Sequence, residues 1–463
     1  MSVRRMSILL CGCLAACSLS CAVKKPPSMP EILEHGLPET TKVLDQWAAQ
    51  SGVSGPVQYG WLKRFADPQM EVVVDEVLHN NLDLRVAATR VEVAAGLATQ
   101  ARAMVLPAVV VQGGPNVSGR FDDKRFNNSG IFGAIAWELD IWGKLRAQSV
   151  AAHESYQATE ADLAAARQSL AALAAKAWYL ATYTSQLQQL AQEGVTVYQD
   201  LLGVVQLKKD VGEVSGQDLY LSRADLEAAS ASLEQTKRAH QQAVRALEVL
   251  MGRYPAAELK AADQFPNTPP PIPAGIPSEV LERRPDLRAA QLRVAAAFHL
   301  VQSAKAARLP SINLTLAGGR STNDLFELLG TNPEFWSAGA NFLAPIFTRG
   351  ALKAQVRIQN AQQEAATLAY GQAALCAFQD VETSLSNEGS LAHGQQQLEA
   401  SLRDSEEAYR LGRVQFDVGA IDLLKVLQLQ GRVLAARSAL IGVSHERLTN
   451  RINLHLALGG SVE

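Results

Sequence analysis

Residues 83–107, DLRVAATRVEVAAGLATQARAMVLP, and residues 286–310, DLRAAQLRVAAAFHLVQSAKAARLP, are two versions of one stretch of sequence. They align without a gap and share residues along their whole length. The repeated unit is far longer than the roughly 20–50 residues of a solenoid repeat, so it indicates a duplicated subdomain. We therefore predict two similar halves, residues 61–255 and 278–463, joined by a proline-rich linker at 256–277.

The same order of elements surrounds each copy. Apolar residues three and four apart predict a helix that proline stops, and alternating apolar and polar residues then predict a β-hairpin. A very long helix, a turn and a returning helix follow in each half. The predicted helices are 69–106, 144–209 and 219–251 in the first half, and 278–308, 349–414 and a last helix ending near 458 in the second.

The two predicted hairpins have one apolar face and one polar face. Ile131, Ile135, Trp137, Leu139 and Ile141 share a face in the first hairpin, and Trp336, Ala338, Ala340, Phe342 and Ile346 share one in the second. An apolar face is buried in a soluble sandwich but contacts lipid in a transmembrane barrel. Two isolated hairpins between long helices supply no other strands for a sandwich, which favours the barrel. We predict that Trp336 and Phe342 are not sequestered in the interior of the chain.

Four strands are too few for a closed barrel, which needs about eight. Because open strand edges are not tolerated in lipid, the chain must oligomerise. Two copies would give eight strands and three would give twelve, and the pattern alone does not choose. The predicted fold class is mainly α with a membrane β-barrel.

The N-terminus indicates export from the cytoplasm. A charged start, MSVRR, precedes a short apolar run, and Leu14-Ala15-Ala16-Cys17 is similar to a lipoprotein cleavage site. We predict a signal peptide over residues 1–16, acylation of Cys17 and a lipid-anchored extension over 17–60. Cys21 is the second candidate for acylation, and an ordinary secretory signal is the alternative. Cys376 stands alone in a predicted helix, where we expect it to be buried.

The composition and motifs argue against several functions. The net charge is −3, which does not favour nucleic acid. The eight histidines lack metal-ligand spacing, and the chain has neither a phosphate-binding loop nor a nucleophile motif. We therefore predict no enzymatic activity, no metal and no cofactor.

Several motifs together resemble the outer-membrane efflux factors of the TolC/NodT lipoprotein type. They are Arg283-Arg284-Pro285-Asp286-Leu287, the run from Trp137 to Leu145, the Pro345-Ile346-Phe347 turn with Gly350, and Val-Gly pairs at the two long-helix turns. The resemblance covers about residues 60–460. It implies a homotrimer whose twelve strands form an outer-membrane barrel and whose twelve helices form a tunnel across the periplasm.

The resemblance also implies partners and a role. Such proteins are passive exit ducts that export small molecules with a periplasmic adaptor and an inner-membrane transporter, usually of the resistance–nodulation–division class. Type I protein secretion is the alternative within this class. A periplasmic structural lipoprotein without a pore is the alternative outside it. Lipidation and the Arg-Arg-Pro-Asp motif favour efflux of drugs or metals.

By the same resemblance, Val211-Gly212 and Val418-Gly419 are the tips at which the adaptor docks, although glycine also serves to end a helix. Asp218 and Asp422 open the returning helices, where a carboxylate meets the helix dipole. A ring of Asp422 would also select cations.

The family's periplasmic constriction has a Leu, a carboxylate four residues later and an Arg three residues beyond. Here Leu424 is followed by Gln428 and Gly431, and Arg432 is only adjacent to the expected position. The usual ionic latch is therefore in doubt. We predict a gate held by Leu424 packing and Gln428 hydrogen bonds, with weaker dependence on charge.

Overall fold

The computed structural model describes residues 24–49, 60–119, 125–322 and 334–460. The predicted signal peptide and both candidate acylation sites, Cys17 and Cys21, lie outside the described residues, as does the turn between the first two strands.

The chain is mainly helical, with one group of four strands. The two long helices have 67 residues each, and the helix that returns from each has 35. The helices are α1 (Met29–Gly36), α2 (Pro68–Asn80), α3 (Leu82–Ala103), α4 (Lys144–Asp210), α5 (Gly216–Leu250), α6 (Pro277–Arg283), α7 (Pro285–Ala306), α8 (Ala351–Asp417) and α9 (Leu423–Ala457). The strands are β1 (Ala108–Gly119), β2 (Arg125–Leu139), β3 (Ser311–Thr322) and β4 (Glu334–Leu343).

Two helices that we predicted as continuous are each divided in two. The break between α2 and α3 falls at Asn81, whose side-chain amide donates to the Leu250 carbonyl at 3.1 Å and whose side-chain oxygen accepts the N–H of Leu84 at 3.1 Å. The break between α6 and α7 falls at Arg284, because a residue before proline is excluded from helical geometry. The predictions of single helices over 69–106 and 278–308 are therefore wrong.

The two predicted hairpins are not isolated from each other. The sheet has the order β1-β2-β3-β4 and every pairing is antiparallel. The link between the hairpins is the β2–β3 pairing, which runs from Leu139 opposite Ile312 to Ser129 opposite Thr322. The strands also end earlier than predicted, so that Ile141 and Ile346 lie in the connections that follow β2 and β4.

The chain forms two compact units, and each takes segments from both halves of the sequence. The first unit contains Thr89–Asp162 and Asp286–Ala373 together with the N-terminal residues up to Thr41, and it includes the sheet. Helix α1 packs in this unit through Ile32, which joins Val294 and Tyr370 in a small core. A Cβ on Gly36 would lie 2.7 Å from the Thr367 carbonyl oxygen, so the backbone of α1 lies directly against α8.

The second unit contains Lys42–Ala88, Leu163–Pro285 and Ala374–Glu463. Its main core joins the Trp61–Phe65 turn and α2 to the middle of α4 and the ends of α5 and α9. Small residues such as Ala171 and Ala175 are fully buried there, as expected for closely approaching helices. Cys376, on α8, is exposed within this chain, so the expectation that it is buried is wrong.

Candidate functional site

One face of the sheet is mainly apolar. Residues directly opposite each other in antiparallel strands point to the same side, so the register assigns every side chain to a face. Trp336 and Phe342 on this face are 80% and 69% exposed, as predicted. Its apolar residues are Val109, Val111, Ile131, Ile135, Trp137, Leu139, Ile312, Leu314, Leu316, Trp336, Ala338, Ala340 and Phe342. One ion pair, Arg320 with Glu334 at 3.6 Å, lies on the same face, next to Ile131.

The opposite face carries mainly small and polar side chains. It comprises Ala108, Gln112, Ala134, Ala136, Glu138, Asn313, Thr315, Ala317, Ser337, Gly339 and Asn341, with a few larger apolar residues among them. A sheet with an exposed apolar side and a polar side is suited to separating lipid from water.

The outer strands leave two open edges. In the described chain, β1 has β2 as its neighbour and β4 has β3, so each outer strand is paired on one side. The unpaired N–H and C=O groups of such edges require partners when the sheet lies in a medium without water. A second copy of the same sheet would supply them.

A polar cluster fixes the start of α4 beneath β2. The Asp140 carboxylate accepts the backbone N–H groups of Leu145 and Arg146 at 3.0 and 2.8 Å, so it satisfies donors in the first turn of the helix. Lys144 pairs with Glu138 at 2.6 Å. Gly143 has a φ of +73°, which a glycine adopts without strain. These contacts account for the polar residues and the glycine in the run from Trp137 to Lys144.

Two tryptophans tie the sheet to the adjoining chain. The indole N–H of Trp137 donates to the Val105 carbonyl at 3.0 Å, and that of Trp142 donates to the Pro310 carbonyl at 2.7 Å. The Trp137 bond therefore joins β2 to the segment that enters β1. The Trp142 bond joins the turn after β2 to the segment that enters β3.

The turns at the ends of the long helices have the same backbone geometry. Gly212 and Gly419 have φ values of +83° and +76°. The residue after each glycine donates its N–H five residues back, Glu213 to Lys208 at 2.8 Å and Ala420 to Gln415 at 2.7 Å. This is the Schellman arrangement that ends a helix.

The valines of the two tips project away from the chain, because Val211 is 73% exposed and Val418 is 76% exposed. Beneath them, Leu201, Val205 and Leu219 pack with Phe416 and the start of α9. Lys208 joins the two tips, since its ammonium group pairs with Glu213 at 3.3 Å and lies 5.0 Å from the centre of the Phe416 ring.

The predicted gate residues lie together at the start of α9. Asp422 is the N-cap and accepts the N–H of Lys425 at 2.9 Å. Leu424, Gln428 and Arg432 are four residues apart in sequence, so they share one face of the helix, and all three are exposed. Neighbouring Leu423, Val426 and Leu427 point inward instead.

The start of α5 has a different cap. Ser215 and Asp218 form a capping box in which each side chain binds the other residue's backbone N–H. Asp218 therefore caps the helix through hydrogen bonds, in addition to the favourable interaction with the helix dipole that its position predicts.

Two features are absent from the part of the chain that the structure describes. No helix there is both long enough and apolar enough to cross a membrane. Across the same residues, no three or more His, Cys, Asp or Glu side chains gather as a metal site would require.

Sequence reasoning missed an aromatic pair on the polar side of the sheet. Phe132 and Phe335 lie opposite Gly319 on either side, and their ring centres are 6.1 Å apart. The available signal was the appearance of phenylalanine at a position in the alternation where the other residues are small or polar.

Comparison with known proteins places most of the chain in one protein family. The model of the family described as "Outer membrane efflux protein" matches residues 73–253 and 276–460. The "Toluene efflux pump outer membrane protein TtgC" of Pseudomonas putida is 30% identical over 424 residues, which cover 89% of this chain and 87% of the relative. The "Probable outer membrane lipoprotein SilC" of Salmonella typhimurium is 27% identical over 98% of this chain and 96% of its own.

Solved structures agree with this comparison. The open state of the Neisseria gonorrhoeae MtrE outer membrane channel superposes with a TM-score of 0.84 at 27% identity, covering 96% of this chain and 98% of that one. A structure of CusC superposes with a TM-score of 0.82 at 25% identity, covering 96% of this chain and all of that one. The resemblance inferred from the motifs is confirmed.

Proposed function

Because this chain belongs to the outer membrane efflux protein family, we propose that it assembles as a homotrimer that forms an exit duct in the outer membrane. Three copies of a four-stranded sheet would give a barrel of about twelve strands, which is enough to enclose water. Like the family to which it belongs, the chain is an outer-membrane efflux channel and not an enzyme. Transport through such a duct is passive, and the energy comes from its partners.

The sheet gives this proposal its strongest support. An exposed apolar face would contact lipid, the small polar face would line water, and the edges of β1 and β4 would pair with neighbouring copies. The four long helices, α4, α5, α8 and α9, would contribute in each copy to a twelve-helix tunnel. We attribute the similar halves of the chain to duplication, with halves at 61–255 and 278–463 and a linker at 256–277.

The proposed partners are a periplasmic adaptor and an inner-membrane transporter of the resistance–nodulation–division class. The proposed cargo is small toxic molecules, in keeping with relatives whose names refer to toluene and to antibiotic efflux. These names favour small-molecule export over type I protein secretion. We also propose that Cys17, or failing that Cys21, carries a lipid anchor after removal of residues 1–16.

Two neighbouring residues on β3 provide a matched test of the barrel. Leu316 belongs to the apolar face and Thr315 to the polar face. We expect Leu316→Arg to prevent recovery of trimer from the outer membrane, because arginine at the middle of a lipid-facing strand costs about 2–4 kcal/mol. We expect Thr315→Arg to assemble normally and to shift the channel toward anion selectivity in a planar lipid bilayer.

The trimer is measured by the mass of the detergent-extracted protein, and the selectivity by the reversal potential in a salt gradient. Recovery of wild-type protein as a monomer that is soluble without detergent would contradict the proposal. An unchanged reversal potential in Thr315→Arg would contradict the assignment of the polar face to the water-filled lumen.

We propose that the exposed residues at the start of α9 form the periplasmic gate, with Leu424 packing across the axis and Gln428 hydrogen-bonding between copies. Arg432 and the Asp422 ring would lie on either side of this constriction. We expect Gln428→Ala to increase the closed-state leak, while Gln241→Ala, an exposed change on α5, leaves it unaltered.

The chemistry of the gate can be tested with salt. Raising ionic strength from 0.1 to 1 M shortens the Debye length from about 10 to about 3 Å and weakens ionic latches. We expect the wild-type leak, corrected for bulk conductivity, to change little. A large increase, or an unaltered leak in Gln428→Ala, would show that another set of residues closes the duct.

We also propose that the adaptor docks on Val211-Gly212 and Val418-Gly419. Their exposed valines offer apolar contacts that the chain itself does not cover. Val211→Asp and Val418→Asp should each reduce crosslinking to the adaptor without loss of trimer. Unchanged crosslinking in the double variant would contradict this assignment.

A further inference from the structure

The polar face of the sheet contains one aromatic row. Across the register, Gln112 of β1, Phe132 of β2, Gly319 of β3 and Phe335 of β4 are consecutive neighbours on the same side. The two phenylalanine rings meet over the glycine, with centres 6.1 Å apart and planes inclined by 60°. Edge-to-face geometry of this kind is favourable for aromatic pairs.

Gly319 is required for this arrangement. A Cβ at this position would lie 2.5 Å from both the Cα and the Cβ of Phe132. Any side chain at residue 319 would therefore displace the Phe132 backbone, and the space above the glycine is left to the two rings. Coverage of a strand glycine by an aromatic residue also stabilises a sheet.

The position of the row matters more than its stabilising effect. Phe335 remains 36% exposed and lies on the side where Ala134, Ser337 and Thr315 are small or polar. The apolar side chains of the opposite face would contact lipid, whereas these rings would contact water. An exposed aromatic surface within a polar wall is available to bind an apolar solute.

We propose that Phe132 and Phe335 form an aromatic contact site on the lumen wall that binds aromatic and apolar solutes, especially aromatic cations, as they pass. This inference rests on the proposed trimeric duct, in which three such pairs would lie at one height in the barrel. Weak contacts suit a duct, because a solute must enter the site and also leave it. The π faces of the rings add attraction for a positively charged solute.

The test uses current through the purified full-length protein in planar lipid bilayers. Tetraphenylphosphonium is the aromatic probe, and tetrabutylammonium is a non-aromatic cation of the same charge. We expect tetraphenylphosphonium to block wild type at the lower concentration. In the double variant Phe132→Ala/Phe335→Ala, the half-blocking concentration of tetraphenylphosphonium should rise about fivefold, while that of tetrabutylammonium stays unchanged.

Two further variants separate contact from packing. Phe132→Leu/Phe335→Leu keeps apolar side chains over Gly319, and it should lose most of the preference for the aromatic probe while still forming trimers. Phe342→Ala removes a phenylalanine from the opposite face and should block as wild type does.

The outcomes distinguish this site from the duct itself. A wild-type protein that conducts but shows no preference for tetraphenylphosphonium would overturn the aromatic site alone. Retention of full preference in both double variants would do the same. A wild-type protein that carries no current would overturn the proposed duct, and the site with it.

Discussion

The two returning helices end in the same geometry but bury different chemistry. Helices α5 and α9 have equal lengths, and in each a buried ionisable residue lies three positions before the C-cap. In α5 this residue is Glu248, whose carboxylate accepts the N–H groups of Ala257, Glu258 and Leu259 at 2.7–3.0 Å. In α9 it is His455, whose two ring nitrogens are buried and have no hydrogen-bond partner in the described chain.

The buried residue one turn earlier is apolar in α5 and charged in α9. Helix α5 has the buried Val244, whereas α9 has Arg451, which is 1% exposed and binds Glu388 and the Pro270 carbonyl. Arg437 and Arg447 add bonds from α9 to Glu406 and Gln395. Two returning helices of equal length are thus held by apolar packing in α5 and by a buried arginine in α9.

The arginine contacts that distinguish α9 from α5 lie away from the turn at Gly419, where α9 begins. The first turns of α9, with Leu423, Val426 and Leu427, are held by apolar packing. Apolar contacts are not directional, whereas the arginine bonds further along α9 have fixed geometry. The contrast indicates that the predicted gate residues lie on the part of α9 with fewer geometric constraints.

Removal of Arg451 should have the largest effect. Arg451→Ala empties a fully buried position and leaves the partly buried Glu388 without its partner. Lost packing and the lost ion pair together should cost about 3–5 kcal/mol. The equivalent change on α5, Val244→Ala, should cost about 1–2 kcal/mol, because it removes two methyl groups from a packed core. Denaturant unfolding in detergent, followed by helical circular dichroism, measures both. Equal losses would contradict the distinction between the two helices.

Removal of the Glu248 carboxylate should rank next. Glu248→Ala leaves three backbone N–H groups without their charged acceptor, and we expect a loss of about 3 kcal/mol. Burial acts to raise the pKa of Glu248, but the three N–H donors and Arg253 together lower it below its ordinary value of 4.5. Its folded pKa is therefore depressed, so its stabilising effect is present above pH 4.5 and is lost as pH falls through the folded pKa.

A control for this change is Arg253→Ala. Arg253 forms an ion pair with Glu76 near the same helix end, but half of its side chain is exposed to solvent. We expect a loss below about 1 kcal/mol, since exposed ion pairs contribute little. A larger loss for Arg253→Ala than for Glu248→Ala would mean that the ion pair, not the carboxylate cage, holds this connection.

The acid response of His455 should begin at higher pH than that of Glu248. Burial, with Arg64 and Arg451 nearby, lowers the pKa of His455 from 6.5 to about 3. Between these values the unfolded chain binds more protons, so stability falls as pH falls below 6.5. From pH 6.5 to 5 this amounts to about 2 kcal/mol.

His455→Leu removes the titrating group, and we expect it to flatten the stability profile between pH 6.5 and 5. The loss of stability due to Glu248 appears only below about pH 4.5, so the two helix ends can be separated by pH. Stability measured at half-unit intervals distinguishes them. An unchanged acid slope in His455→Leu would assign that slope to another group.

The tips should show the smallest effects, and these should be alike. Gly212→Ala and Gly419→Ala each place a side chain in left-handed geometry, at a cost of about 1 kcal/mol. Gly431→Ala is the matched control, because Gly431 is an exposed glycine within α9 with open space around it. It should stabilise the helix by about 0.5–1 kcal/mol. Unequal losses of stability at the two tips would show that side-chain contacts near each glycine, such as those of Lys208, outweigh the strain of the left-handed backbone.

The sequence predicted most of the fold because its signals are local. The long helices, their returning partners and the strand faces follow from periodicity, and Asp218 and Asp422 mark the starts of the returning helices. The β2–β3 pairing was missed, because Leu139 and Ile312 meet over a sequence separation that periodicity does not report. The exposure of Cys376 was missed for a related reason, since burial depends on which helices pack beside it.

The candidate site was less accessible to sequence reasoning. Motif resemblance supplied Leu424, Val211 and Val418. The role proposed for Leu424 depends on neighbouring copies of the chain, and the role proposed for the two valines depends on an adaptor. Phe132 and Phe335 become a pair only through the register of three strands. The carboxylate cage of Glu248 likewise depends on a loop that returns to the helix end.

The contact between Gly36 and the backbone of α8 sets a limit on the N-terminal tether. Because α1 is fixed there through Ile32, the reach of a lipid anchor on Cys17 can be measured from Met29, the first residue of α1. An extended chain from Cys17 to Met29 reaches at most about 40 Å. An acyl group on Cys17 would therefore have to enter the bilayer within that radius, which constrains how far the leaflet surface can lie from α1.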